Sequence, residues 1–235
     1  MKRSLFLVLA LFLLSSTLTC FSQQTDIRQF AAFGAFTYLA TPSLNLTQRG
    51  FDGDFGYNVR PWLTFGFDFG YYTGHSSLFA NDLNAATQEA ILELLGTLPP
   101  PQRAAVAALL AAGVPYNIST QTYEAGPQFN YRKLKKVTFF ARPALGALHS
   151  SFSVNNALYQ PIVIGLLGRA SKSDTVVFYG FGGGMTWEIN PHFGLRVAAD
   201  FAHYDFFASV LNGGRNSVRV SVGPKFGFGK NIVQK

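Results

Sequence analysis

Charged side chains are scarce in this chain. Asp, Glu, Lys and Arg make up 13% of its 235 residues, against roughly 25% in an ordinary soluble protein. Cysteine is scarcer still. Cys20 is the only one, which rules out a disulfide framework and a Cys/His metal cluster. No apolar run reaches the roughly 20 residues a membrane-spanning helix needs; Leu5–Leu14 and Ala104–Val114 both fall short. Gly180-Phe181-Gly182-Gly183-Gly184 is glycine-rich, but no P-loop Lys-Ser/Thr follows it, so it does not describe a nucleotide cradle. A Ser/His/acid set is missing too. His75-Ser76 and His149-Ser150 are neighbours whose side chains point to opposite faces of a strand, and His149 with Ser151 has no acid nearby. These absences predict a non-enzymatic protein with no catalytic residues, no cofactor and no metal.

What is present is alternation. In Leu63-Thr64-Phe65-Gly66-Phe67-Asp68-Phe69-Gly70-Tyr71 every large apolar residue is followed by a small or polar one. A strand sends successive side chains to opposite faces, so this segment has an aromatic face and a polar, glycine-rich face. Phe (24 copies) and Gly (23 copies) are both abundant. The pattern recurs from segment to segment, and the chain has little else to cover the aromatic face. Strands that are apolar outside and polar inside describe a barrel in a lipid membrane. The expected fold is all-β: an eight-stranded antiparallel up-and-down transmembrane β-barrel with a helical external loop.

The amino terminus agrees. Lys2 and Arg3 precede Leu5–Leu14, and a small, polar stretch ends near Ser22, which reads as a secretory signal peptide over residues 1–22. The barrel domain is expected over 23–235, in the cell outer membrane. Thr17 and Thr19 match a lipoprotein signal around Cys20 poorly. Apart from Arg132-Lys133-Lys135-Lys136, the basic residues behind the net charge of +7 are scattered. Export removes the chain from nucleic acid, so outer-membrane lipid headgroups are the expected electrostatic partner.

Strands are predicted at about 27–40, 46–59, 62–74, 118–131, 137–149, 174–189, 193–204 and 216–228. Strand 1 is ambiguous because Phe30, Phe33, Phe36 and Tyr38 do not alternate cleanly. Pro127 should interrupt a ladder locally. Connections near Arg60, Lys133 and Asn190 are short, whereas 74–117, 150–173 and 205–215 are long. Short periplasmic turns and long external loops put both termini in the periplasm. An Arg or Lys facing lipid at midplane costs roughly 2–4 kcal/mol, so the charged face turns inward. The expected interior charge network is Asp52, Asp54, Asp68, Glu124, Arg142, Glu188, Arg196, Asp200 and Arg219. Counting from the turns sets Glu124 roughly opposite Arg142, and Arg219 diagonal to Asp200. Trp62, Tyr131, Trp187, Phe226 and Phe228 at the turn end, with Tyr71, Tyr72 and Tyr204 at the other, fit interfacial girdles.

The loop over 75–116 breaks the alternation. Asn84 caps a helical pattern with Ile91, Leu94 and Leu95, and Pro99-Pro100-Pro101 opens a second with Val106, Leu109 and Leu110. A helical hairpin over the mouth is expected, packed on neighbouring loops or presented to an extracellular partner.

Taken together, the chain resembles the OmpA/OmpX-type family of small eight-stranded outer-membrane barrels. The likeness is architectural and covers nearly all of the expected mature chain. Its sharpest element is Ser221-Val222-Gly223-Pro224-Lys225-Phe226-Gly227-Phe228, which looks like the carboxy-terminal assembly signal of such barrels, carried by Ser221, Gly223, Phe226 and Phe228. The resemblance implies recognition by the barrel-assembly machinery and a structural or surface-interaction role. No peptidoglycan-binding domain is expected after the barrel. A narrow porin-like channel for small solutes or ions is the alternative, since eight strands leave an interior that side chains just fill. A lipid-modifying enzyme is the weaker one.

Overall fold

The computed structural model describes residues 24–233; the expected signal segment and Cys20 lie outside them. Eight strands form one closed antiparallel sheet: β1 (Arg28–Thr41), β2 (Leu46–Arg60), β3 (Leu63–Leu78), β4 (Val114–Tyr131), β5 (Val137–Ser153), β6 (Ser171–Asn190), β7 (Phe193–Tyr204) and β8 (Arg215–Asn231). Each pairs with the next, and β8 closes on β1 through pairs such as Phe36–Val222 and Ala40–Val218. Closure leaves no unpaired strand edge, the condition a sheet must meet in hydrocarbon. Three helices stand at one end: α1 (Ala85–Thr97), α2 (Pro100–Ala111) and α3 (Gln160–Leu167).

The short turns at the opposite end are set by local chemistry. Asn190 Oδ1 accepts from the backbone N–H groups of His192 and Phe193 at 2.8 and 2.9 Å, a side-chain-locked reversal with Pro191 inside it. Outward aromatics meet across strands: Phe30 stacks on Phe228 with centroids 5.6 Å apart, and Trp62 on Phe129 at 6.3 Å, the cross-strand contacts that fix register.

Strand 1 alternates strictly. Phe30, Phe36 and Tyr38 face outward, while Phe33 turns inward and is buried. Its ring lies 5.0 Å from the Arg196 guanidinium carbon, which explains an aromatic on the polar face. Two girdle assignments are corrected. Tyr72 and Tyr204 point inward and are buried, because each lies an even number of residues from an inward acid, Asp68 and Asp200 respectively. The ladder between β4 and β5 is interrupted between the pairs Glu124–Gly146 and Phe129–Ala141. Carried through, that register sets Pro127 against Pro143, so both sides lack an N–H.

Several strands run further than the alternation suggested: β3 to Leu78, β4 from Val114, β5 to Ser153 and β6 from Ser171. The period of two continues, but its polarity reverses. Outward positions change from Phe65, Phe67, Phe69 and Tyr71 to Thr73, His75 and Ser77, and on β5 from Phe139 and Leu145 to His149, Ser151 and Ser153. Inward positions change to Leu78, Tyr116, Ile118, Leu148 and Phe152. Above this line the barrel wall is built like a soluble protein, with its apolar side chains inside.

Inward glycines are a packing requirement where strands approach closely, as at Gly180. A Cβ on Gly180 would sit 1.9 Å from the Phe201 carbonyl oxygen, whereas outward Gly34 has nothing within 4 Å. Gly180→Ala is expected to lower stability by about 1–3 kcal/mol through overpacking, and Gly34→Ala to leave it nearly unchanged. Urea unfolding of the two variants in the same lipid checks this.

Candidate functional site

The lumen and the mouth above it are built from different chemistry. In the lumen, Asp54, Asp68 and Glu124 occupy adjacent positions on β2, β3 and β4. Opposite them a second row runs Arg142, Gly182, Asp200, Arg219 across β5 to β8. Two arginines join the rows. Arg142 donates from Nε to Asp200 Oδ1 at 3.0 Å and from Nη1 to Asp54 Oδ2 at 3.3 Å. Arg219 donates to Asp200 Oδ2 at 2.9 Å, Asp68 Oδ1 at 2.9 Å and Glu124 Oε2 at 3.1 Å. The missing Cβ of Gly182 makes the bridge feasible, since it would fall 1.7 Å from Asp200 Oδ1.

Asp52 takes hydroxyls besides a longer contact with Arg219 at 3.7 Å. Thr37 Oγ1 donates to it at 2.7 Å and Ser221 Oγ at 2.5 Å, and Tyr72 also donates to it. Arg196 pairs with Asp54 at 3.4 Å, donates to Gln128 Oε1 at 2.6 Å, and lies 3.9 Å from the Phe140 ring centroid. The guanidinium lies between two rings and an acid, while its Nε has no hydrogen-bond partner.

Sequence reasoning placed these side chains on one face and named two pairs that do meet, Glu124 with Arg142 and Arg219 with Asp200, but it set their register differently. Asp200 lies directly across from Arg219, not diagonal to it. Glu124 lies across from Gly146, and Arg142 meets it only obliquely, at 3.7 Å. Glu188 sits apart from the central cluster. It pairs with Lys225 at 2.9 Å and with Arg132 at 3.9 Å near the short-turn end. Arg132, the first residue of the basic cluster Arg132-Lys133-Lys135-Lys136, folds in to donate to the Pro61 carbonyl at 2.9 Å and Asn58 Oδ1 at 3.2 Å. Burial pushes its guanidinium down to about 10, against the pull of Glu188. Of the expected assembly-signal residues, Ser221 and Gly223 face inward and Phe226 and Phe228 face lipid.

At the other end the mouth holds a cavity of about 120 Å³. Leu78, Val114, Ile118 and Phe152 of the strand ends form its floor, Ile91 of α1 and Val163 of α3 its sides, and Phe206, Phe207 and Leu211 of the β7–β8 connection its back. Only Thr87 and Tyr116 among the lining residues carry a side-chain polar group. The cap is stitched on by polar contacts. Asn84 caps α1 by accepting from Thr87 N at 2.9 Å and donates to the Ala208 carbonyl at 2.9 Å, while Leu83 and Leu211 form a β-bridge. The α1–α2 hairpin was legible, but α3 was not, although Pro161 opens it and Gly168 (φ +73) ends it. Those signals suffice for a short helix. The hydrophobic Phe206-Phe207 pair in the β7–β8 connection was also passed over. Phe207 has φ +53, a rare state for a bulky residue, held by Asp174 Oδ2 accepting its N–H at 2.6 Å.

A closed ladder with exposed Phe51, Phe65, Phe181 and Trp187 outside and ion pairs within is stable only in hydrocarbon of matching height. The chain is an outer-membrane β-barrel. No protein-family model and no curated protein matches it. Among solved structures it is similar to Neisserial surface protein A (15% identity, covering 85% of this chain and 96% of that one, TM-score 0.48). It is also similar to the attachment invasion locus protein Ail of Yersinia pestis in complex with the heparin analogue sucrose octasulfate (13%, 84% and 96%, 0.44), and to the outer membrane protein OprG of Pseudomonas aeruginosa (9%, 88% and 99%, 0.46). These likenesses are architectural; the placement in the membrane rests on the polarity of this barrel's own surface.

Replacing Arg219 by Leu strips ion-pair partners from Asp68, Glu124 and Asp200 at once. The expected loss is about 3–5 kcal/mol. Adding Asp200→Leu should cost much less than the sum of the single losses, because the two belong to one network. A double-mutant cycle by urea unfolding measures both.

Proposed function

We propose that this is a non-conducting, non-enzymatic outer-membrane barrel whose extracellular cap is its working surface. The observation that carries the reading is the cross-lumen bracing by Arg142 and Arg219. It occupies the level where a channel would need open water, while the chain builds a separate hydrophobic core at the mouth. Long external loops on a rigid barrel are where binding function concentrates. Partners meet the loop over 75–116 and the β7–β8 connection, outer-membrane lipids meet the aromatic belt, and the assembly machinery reads the β8 residues Ser221, Gly223, Phe226 and Phe228.

Two observations weigh against an enzyme. His149 Nδ1 lies 2.7 Å from Thr175 Oγ1 on the outer face, and His203 Nδ1 lies 2.7 Å from Asn216 Oδ1. Among the described residues no histidine ring bonds a serine hydroxyl or a carboxylate. The outer membrane enzyme PagL has a similar fold (13% identity, TM-score 0.38), which carries no argument about activity.

Planar-bilayer recording tests the reading. The parent protein is expected to show no steady unitary openings, and Arg142→Ala to introduce them. Steady openings of the parent that Gly182→Leu abolishes would establish the channel instead. Lipid profiles of cells carrying the parent and His149→Ala should be the same.

A further inference from the structure

The short-turn end, the expected periplasmic side, holds a second cavity of about 210 Å³. The segment before β1 is fastened beside it. Gln24 N donates to the Arg132 carbonyl at 3.4 Å, and Gln24 Nε2 donates to the Leu134 carbonyl at 3.2 Å and to Thr138 Oγ1 at 3.1 Å. Water occupies about 30 Å³ per molecule in the liquid, so the space takes a small ion with part of its hydration.

Five cations line this cavity from three separate elements: Arg28 of β1, Arg132, Lys135 and Lys136 of the β4–β5 turn, and Lys225 of β8. Two acids answer them, Asp26 and Glu188. Asp26 is taken by Arg28 at 2.9 Å. Glu188 is shared between Lys225 at 2.9 Å and Arg132 at 3.9 Å, whose side chains are 12% and 9% exposed. One carboxylate thus serves two buried cations. Lys135 and Lys136 form no ion pair among the described residues. Arg28 Nε and Asp26 Oδ1 are buried without a hydrogen-bond partner. Gathering cations in a partly enclosed space is unfavourable unless an anion accompanies them.

We infer that this vestibule binds a compact phosphate-type polyanion from the aqueous phase. Phosphate oxygens accept from guanidinium and ammonium groups alike in charge-assisted bonds. A phosphate monoester carries about −1.5 to −2 charges at pH 7, which offsets most of the surplus of three positive charges. Chloride brings too little charge and fills little of the space. Lipid headgroups stand outside the wall, whereas Asn58, Arg132, Glu188 and Lys225 of the lining hydrogen-bond or pair with one another inside it. The site is at the opposite end from the cap and does not rest on the reading of the cap as the working surface.

The test uses the full mature chain in phosphatidylcholine nanodiscs at about 0.15 M salt, where exposed charges more than about 8 Å apart are largely screened. Inorganic pyrophosphate is titrated calorimetrically, with empty nanodiscs as the control. Saturable binding is expected. Lipid phosphate is present throughout, so saturation by added pyrophosphate separates a solute site from a headgroup site. Lys135→Gln and Lys136→Gln should each weaken binding about fivefold, and Lys225→Gln about tenfold. Lys133→Gln, in the same turn but outside the lining, should change it less than about twofold. Lys135 and Lys136 are exposed, so their variants should unfold at the parent's urea midpoint; if Lys225→Gln does not fold, these two decide the matter alone. No saturable binding, parent-like binding by the Lys135 and Lys136 variants, or an equal loss with Lys133→Gln, the mark of a diffuse basic surface, would overturn the proposal.

Discussion

Backbone pairing in hydrocarbon is the constraint on which everything else depends. A lipid-facing N–H or C=O has no water to turn to, so the sheet has to close. Closure in turn divides the side chains of every strand between two environments with a strict period of two. The outward set becomes the aromatic belt. The inward set is confined, and in eight strands the space is narrow enough for side chains to fill it. The glycine positions follow from this confinement: Gly182 is small because Asp200 must lie over it to reach Arg142.

The lumen's charges serve closure as well. Three acids side by side on β2, β3 and β4 repel one another. Arg142 and Arg219, reaching from β5 and β8, hold that wall against the opposite one. The bracing crosses the barrel axis, so it fixes the barrel's cross-section in a way that ladder bonds, which run around the wall, do not. Partner removal is costly in such an arrangement because several buried carboxylates share each guanidinium.

Much of the barrel was legible because its code is local. The aromatic face of Leu63–Tyr71, the short turns at Pro61 and Pro191, and the capped helix after Asn84 are all read within a few residues. Errors came where the rule of apolar-out was applied past its range. Tyr72 and Tyr204 were put in the belt because they are aromatic, although their parity with Asp68 and Asp200 places them inside. The strand ends beyond Gly74 and His149 were lost because the wall's polarity reverses there, although its period does not. Residue opposition was blurred for a related reason. Arg142 and Glu124 stand on neighbouring strands four residues out of register and meet obliquely through the length of the arginine, not on a ladder rung.

By itself the sequence determined the sheet, its two faces and the presence of charge inside, because side-chain direction in a strand depends only on parity. Tertiary structure alone decided which carboxylate each arginine holds and that Arg132 folds into the lumen. It also assembled the cavity, from the ends of β3, β4 and β5, from α1 and α3, and from Phe206 and Phe207. Those segments come together through the β3–β4–β5 ladders and the closure of the barrel, which sets the β7–β8 connection against them. A pocket is a property of that closure, and no local pattern encodes it.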